Sequence, residues 1–97
     1  MTEIEKTIGE LRKKMPTFKD KYGVKTMGIF GSYATGIYHK RSDVDILVDF
    51  EDGVTLFQFL ALERELSTIV GRKVDLVMRT ALKPRIGQHI LSEVKYI

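Results

Sequence analysis

The chain of 97 residues contains no cysteine. Disulfide bonds and zinc sites built on thiolates are therefore excluded. It also has no apolar run that approaches the ~18–20 residues a helix needs to cross a bilayer. The acidic, amphipathic segment 1–6 lacks the features of a secretory signal. These absences predict a cytoplasmic protein that does not associate with a membrane.

A strong excess of positive charge is missing as well. The sequence has 16 Lys and Arg against 13 Asp and Glu, for a net charge of +3. This mild excess suits a protein that handles phosphates, but it is too small to favour stable binding of duplex DNA. One tight basic cluster, residues 12–14, lies in the predicted last turn of a helix. We interpret it as complementing the helix dipole, in preference to forming a nucleic-acid patch.

The length predicts one domain over residues 1–97 with a modest core. Hydrophobic periodicity predicts a helix over 2–15 that Pro16 ends, a strand over 24–30, a short helical turn over 32–36, a strand over 44–50, a helix over 55–70, a strand over 73–79 and a helix from 82 or 84 to 94. The fold class is therefore α+β, a two-layer arrangement in which helices pack on one face of a small mixed sheet of three or four strands. The other face would carry polar strand residues.

Asp43 and Asp45 lie two residues apart at the start of a predicted strand, so their side chains point the same way. Two carboxylates held this close repel each other, and one takes up a proton unless a cation intervenes. Oxygen-only ligands favour Mg²⁺ or Mn²⁺ over zinc. The pair is therefore a candidate metal site. The alternative is an exposed acidic pair at the entrance of a strand.

A third aspartate, Asp75, lies within the otherwise apolar run 73–78. A carboxylate in such a run is costly unless it is paired, lies at an edge or binds metal. If its strand lies beside that of Asp45, three carboxylates form a cage for two cations ~3.5–4 Å apart. The alternative is an edge-strand aspartate in solvent. Asp49 points the same way as Asp45, but it lies about 13 Å further along an extended strand and is left out of the site.

Gly31 and Ser32 follow the first predicted strand directly. Glycine lets the backbone approach a ligand closely and adopt dihedral angles that other residues avoid. A helical turn that begins at Ser32 would direct N–H groups and a hydroxyl outward, which suits a phosphate. The alternative for Ser32 is a simple helix N-cap. Tyr33, the next residue, is assigned to packing in preference to stacking on a base.

Segments 31–36 (GSYATG) and 42–48 (SDVDILV) together resemble the G-S-x10-D-x-D signature of the DNA polymerase β-like nucleotidyltransferase superfamily. The match covers residues 24–79. The short chain is similar to the minimal nucleotidyltransferase branch (MNT, MntA-like antitoxins). The resemblance implies a single nucleotidyltransferase domain with a polymerase β palm-like fold.

The resemblance also implies roles for the candidate residues. Asp43 and Asp45 would bind two Mg²⁺ ions, with Mn²⁺ as a substitute. Asp75 would complete the catalytic metal site and help activate the attacking hydroxyl. Gly31 and Ser32 would hold the triphosphate of the nucleotide.

One position departs from the pattern of the superfamily. Many relatives carry a basic residue where this chain has Thr35. Lys40 or Arg41, in the loop before the carboxylates, could supply that phosphate contact instead. The alternative is that both are solvated loop charges.

The resemblance implies transfer of a nucleoside monophosphate from ATP or another NTP to a hydroxyl group. In the MNT branch the acceptor is a tyrosine of a HEPN-type toxin, and the MNT protein is the antitoxin that adenylylates it. The chain offers no acceptor-binding domain of its own, so a complex with a partner or a small homo-oligomer is expected. Two alternatives stay open. One is a non-catalytic antitoxin that binds its partner sterically, and the other is the catalytic subunit of an enzyme for a small molecule or nucleic acid.

Overall fold

A computed structural model describes residues 1–97. Its elements are α1 (Glu3–Tyr22), β1 (Val24–Phe30), α2 (Gly31–Thr35), β2 (Val44–Phe50), α3 (Leu56–Val70), β3 (Val74–Met78), a 3₁₀ turn (Arg79–Ala81), α4 (Pro84–Glu93) and β4 (Lys95–Tyr96). The three predicted strands are confirmed to within one residue at each end. The fourth strand, of two residues, is too short to produce a periodic pattern. None of the helices combines the length and hydrophobicity that a membrane crossing requires.

The four strands form one mixed sheet in the order β3-β2-β1-β4. Strand β1 runs antiparallel to β2 and β4, whereas β2 and β3 are parallel and are connected through α3. The predicted α+β fold class is therefore confirmed. In this arrangement the end of β1 meets the beginnings of β2 and β3 at one edge of the sheet, and this edge holds the candidate site.

The main core lies between the sheet and helices α1 and α3. It is a cluster of 15 buried residues: Leu11, Phe18, Tyr22, Val24, Met27, Ile29, Tyr33, Ala34, Val44, Ile46, Val48, Leu62, Leu66, Val74 and Leu76. Helix α4 contributes no residue to this cluster. Val94, the residue after this helix, lies against Gly28. A Cβ at position 28 would collide with Cγ1 of Val94. Gly28 pairs with Leu47, on the opposite face of the sheet, so the chain after α4 closes over part of that face.

Helix α1 continues through Pro16 to Tyr22, so the prediction that Pro16 ends it is wrong. A proline inside a helix removes one hydrogen bond and costs about 3 kcal/mol. Further along the same helix, Phe18 and Tyr22 are both buried in the core. Burying two such side chains contributes roughly 1.5–3 kcal/mol each, which offsets the cost of the proline. The helix ends instead at Gly23, which adopts φ 69°.

The longer helix also corrects the interpretation of the basic cluster 12–14. These residues are exposed in the middle of α1, too far from its end to complement the dipole. Lys19 and Lys21 occupy the last turn in their place.

Candidate active site

The two halves of the sequence motif are in direct contact at the edge of the sheet. Phe30, the last residue of β1, pairs with Asp45 of β2. Gly31 follows with φ +76°, a conformation that disfavours any side chain. A Cβ at Gly31 would also collide with Oδ2 of Asp45. Glycine is therefore favoured here for two independent reasons, and its lack of a side chain lets the turn contact the carboxylate.

Ser32 lies in the first turn of α2, and its side chain is exposed and makes no hydrogen bond within the protein. The N-cap of this short helix is Phe30, so the alternative role of Ser32 as an N-cap is excluded. The first N–H groups of a helix have no intrahelical partner. The hydroxyl of Thr35 donates to the carbonyl of Ser32 and closes the other end of the turn. The exposed hydroxyl of Ser32 thus lies in the turn that contacts Asp45, at the start of a short helix.

The register of the sheet places the three aspartates at this same edge. Asp45 and Asp75 are direct partners across the parallel pair β2–β3, and Asp43 precedes β2. Asp45 is half-buried, whereas Asp43 and Asp75 are exposed. Burial raises the pKa of Asp45, and the negative charges of Asp75 and Asp43 raise it further. Strand β3 is the outermost strand on one side of the sheet, as the alternative of a solvent-exposed Asp75 also requires. Its register nevertheless places Asp75 beside Asp45.

The carboxylate cluster fits a divalent cation by its chemistry. No three acidic, histidine or cysteine side chains converge closely enough to make a preformed metal site. The donor set consists of oxygen atoms alone, which Mg²⁺ prefers. The mutual repulsion that raises the pKa of Asp45 is what a bound cation would relieve. Asp43, Asp45 and Asp75 are therefore residues that could hold Mg²⁺.

Helix α3 fixes the edge strand on both sides of Asp75, a feature that the sequence analysis missed. The N–H of Val74 donates to Ser67 Oγ at 3.0 Å, and the N–H of Leu76 donates to Glu63 Oε2 at 2.9 Å. Glu63 and Ser67 are four residues apart, so they lie on the same side of α3. Two polar residues at this spacing beside an apolar stripe are the signal that could have revealed this contact.

The remaining candidates lie around this centre. Asp49 pairs with Arg79, with Oδ2 and Nη1 3.7 Å apart, so its omission from the site agrees with the structure. Lys40 and Arg41 are exposed in the turn before Asp43, and their side chains form no ion pair or hydrogen bond. The predicted packing role of Tyr33 is confirmed, because its side chain is fully buried.

Arg72 is the other residue that sequence reasoning missed. It lies in the connection between α3 and β3, and its guanidinium group contacts the loop before Asp43 and the start of α1. No spacing motif includes it. Its partners, mostly backbone carbonyls 30 to 33 residues away, leave no local pattern in the sequence.

Comparison with known proteins identifies the family. The family of nucleotidyltransferase domains matches residues 10–97. The chain belongs to this nucleotidyltransferase family. It is similar to the protein adenylyltransferase MntA of Thermococcus cleftensis, with 41% identity over 97 residues that cover 100% of this chain and 95% of the relative.

Two solved structures extend the comparison to the fold. A structure described as a minimal nucleotidyltransferase has a TM-score of 0.78 and 32% identity, and the match covers 93% of this chain and 92% of that one. A toxin–antitoxin crystallised with AMP-PNP has a TM-score of 0.69 and 27% identity, over 99% of this chain and 72% of that one. The predicted family and fold are therefore both confirmed.

The raised pKa of Asp45 predicts how the stability of this nucleotidyltransferase depends on pH without metal. Because folding raises this pKa above its ordinary value of about 4, the contribution of Asp45 to stability is complete below pH ~4 and is lost as the pH rises through the raised pKa. Asp45→Asn removes this loss. We expect its Tm to lie closest to that of the wild type near pH 4 and to exceed it by a growing margin as the pH rises to 7.

Thermal unfolding followed by circular dichroism from pH 4 to 8 in EDTA measures this difference. A difference in Tm that is the same at every pH would contradict the raised pKa of Asp45. Addition of Mg²⁺ at pH 7 should narrow the gap, because only the wild type keeps the full set of carboxylates.

Proposed function

We propose that this nucleotidyltransferase is a Mg²⁺-dependent protein adenylyltransferase that acts as an antitoxin. It transfers AMP from ATP to a tyrosine hydroxyl of a HEPN-type toxin. The observation that carries the proposal is the contact between Gly31 and Asp45, with Asp75 directly opposite. A turn suited to phosphate and three carboxylates suited to a divalent cation share one edge of the sheet, and nucleotidyl transfer needs both.

Each candidate residue has a role that follows from its position. Asp43 and Asp45 would hold two Mg²⁺ ions, which when bound neutralise charge on the phosphates and on the leaving group. Gly31 removes the side chain that would keep the triphosphate from the backbone, and the hydroxyl of Ser32 donates to a phosphate oxygen. Asp75 is exposed beside Asp45, where an incoming hydroxyl can reach it.

The reaction is an in-line displacement at the α-phosphorus of ATP. The tyrosine oxygen forms a bond to this phosphorus, while the bond from the phosphorus to the oxygen that bridges to the β-phosphate breaks. Pyrophosphate leaves with that bridging oxygen and its electron pair. The proton of the tyrosine hydroxyl passes to a carboxylate oxygen of Asp75, which acts as the general base.

Lys40 and Arg41 are proposed to contact the triphosphate in place of the basic residue that many relatives have at the position of Thr35. Both are exposed and lie within three residues of Asp43, and their side chains have no partner in the protein. Their charges are therefore available to phosphate oxygens. Loss of both should raise the KM for ATP more than it lowers kcat.

Similarity to known proteins supports the choice of acceptor and nucleotide. The MntA relative is named as a protein adenylyltransferase. The toxin–antitoxin structure that shares 27% identity with this chain was crystallised with AMP-PNP, an analogue of ATP. Together they favour ATP as the nucleotide and a toxin protein as the acceptor over a small molecule or a nucleic acid.

An AMP-transfer assay with labelled ATP, Mg²⁺ and the protein encoded by the adjacent gene tests this proposal. We expect the label on that protein and a mass increase of one AMP on a tyrosine-containing peptide. The double variant Asp43→Ala, Asp45→Ala should give no label and should no longer protect cells from the toxin. If the wild type transfers no AMP and the double variant still protects cells, the protein is a steric antitoxin and the proposal is wrong.

A further inference from the structure

Arg72 makes a set of contacts that the proposed reaction does not use. Its Nη1 group donates to three backbone carbonyls of one loop, those of His39 at 2.8 Å, Lys40 at 3.1 Å and Ser42 at 3.4 Å. Only 14% of its side chain is exposed. A single guanidinium therefore closes the turn that leads into Asp43.

The other side of the guanidinium is held equally firmly. Its Nε donates to Glu3 Oε2 at 2.9 Å, and the group lies 5.5 Å from the ring centre of Tyr33 and 4.9 Å from that of Tyr38. The hydroxyl of Tyr33 donates to the same oxygen of Glu3 at 2.7 Å and contacts the hydroxyl of Thr7. Burial raises the pKa of Tyr33 to about 12, so this hydroxyl stays protonated as a donor. Arg72 is thus fixed in one orientation.

The consequence for Asp43 follows from its neighbours along the chain. The carbonyl of Ser42, just before it, accepts from Arg72, and the N–H of Val44, just after it, donates to the carbonyl of Lys73 at 2.9 Å. The residues on both sides of Asp43 are therefore tied to the dipeptide 72–73. The side chain of Asp43 itself forms no hydrogen bond or ion pair within the protein and is exposed.

We propose that Arg72 is a positioning residue, which holds the backbone at Asp43 so that its carboxylate is directed to the same cation as Asp45. The contribution to metal binding rests on the proposed function, whereas the ordering of the loop does not. A guanidinium suits this task because its planar fork donates in several fixed directions at once. The ammonium group of lysine is a single point on a flexible stem and cannot replace all of these bonds.

Amide relaxation by NMR and Mn²⁺-induced line broadening test the proposal on the protein without nucleotide. In Arg72→Ala, order parameters of the amides at 39–43 should fall from about 0.85 to below about 0.6, while those of β1 and α3 stay unchanged. The Mn²⁺ concentration that half-broadens the amides of Asp43 and Asp45 should rise about tenfold or more, as for loss of a residue that orients a ligand. Arg72→Lys should fall between the two proteins in both readouts.

The matched control is Arg64→Ala, an exposed arginine on α3 whose side chain has no hydrogen bond or ion pair. It should behave as the wild type in both measurements. Unchanged loop order and unchanged Mn²⁺ binding in Arg72→Ala would overturn the proposal. If Arg72→Ala does not fold, Arg72→Lys decides, and wild-type values for that variant would overturn it equally. A wild type that transfers no AMP would refute the proposed function, while a disordered loop in the variant would still support the role of Arg72.

Discussion

Asp45→Asn is expected to reduce AMP transfer by about 10³-fold or more while the protein stays folded. A bound cation contributes several kcal/mol to stabilising the transition state, and each 1.36 kcal/mol corresponds to a factor of ten in rate. The amide of asparagine cannot supply the negative charge that the cation needs. Asparagine also relieves the repulsion from Asp75 and Asp43, so the same change that removes activity should make the metal-free protein more stable.

Asp49→Asn is the matched control, since Asp49 lies on the same strand and points to the same face as Asp45. It is paired with Arg79 outside the site, so its loss should change the transfer rate by no more than about twofold. Initial rates of AMP incorporation, measured at saturating Mg²⁺, compare the two variants. A transfer rate for Asp45→Asn within tenfold of the wild type would contradict the assignment of Asp45 as a metal ligand.

Gly31→Ala is expected to abolish activity. It should also lower stability more than an alanine substitution at a glycine such as Gly36, where a Cβ would contact no other atom. A non-glycine residue in the left-handed region costs about 1–2 kcal/mol. The new methyl group would also collide with the carboxylate of Asp45. The atom in the way is at the end of the Asp45 side chain, so the carboxylate has to turn aside. This off-rotamer position adds about 0.5–1.5 kcal/mol and displaces a proposed metal ligand.

Gly36→Ala separates the two effects. Gly36 has φ +84°, so it carries the same backbone cost, but no atom lies within 4 Å of a Cβ built there. This variant should lose about 1–2 kcal/mol of unfolding free energy and keep its transfer rate within about threefold. Urea denaturation and AMP transfer on both variants give the comparison. Equal losses of unfolding free energy and of transfer rate in the two variants would show that the contact with Asp45 does not matter.

A double-variant cycle with Asp45→Ala isolates the contact itself. Without the carboxylate, the two atoms nearest to the methyl group of Gly31→Ala are gone, and the Cβ of residue 45 lies at 3.5 Å, an ordinary contact distance. We expect the destabilisation by Gly31→Ala in that background to fall to the value for Gly36→Ala. An unchanged destabilisation would place the cost in the backbone alone.

The sequence predicts most of the fold because most of its signals are local. Strand β2 follows from the alternation of Val44, Ile46 and Val48, strand β1 from the segment that runs into Gly31, and helix α3 from its apolar stripe. Pro16 is the instructive failure. The local rule that proline ends a helix was overridden by the burial of Phe18 and Tyr22, which depends on a core that forms only when distant elements pack.

Part of the candidate site is likewise predictable from local signals, and part of it depends on how distant segments pack. Asp43, Asp45, Gly31 and Ser32 are predictable because their spacing along the chain carries the chemistry. The place of Asp75 depends on strand order and register, which a sequence can suggest but only the paired strands show. Arg72 is not predictable from a pattern, since its main partners are backbone carbonyls that every residue has.

The most direct test of the account is a crystal structure with Mn²⁺ and a non-hydrolysable ATP analogue, with anomalous scattering used to locate the metal. We expect manganese bound to the carboxylates of Asp43 and Asp45, with the triphosphate against the backbone of Gly31 and Ser32 and with Asp75 facing the α-phosphate. Manganese elsewhere, or a triphosphate that does not contact the turn at Gly31, would contradict it.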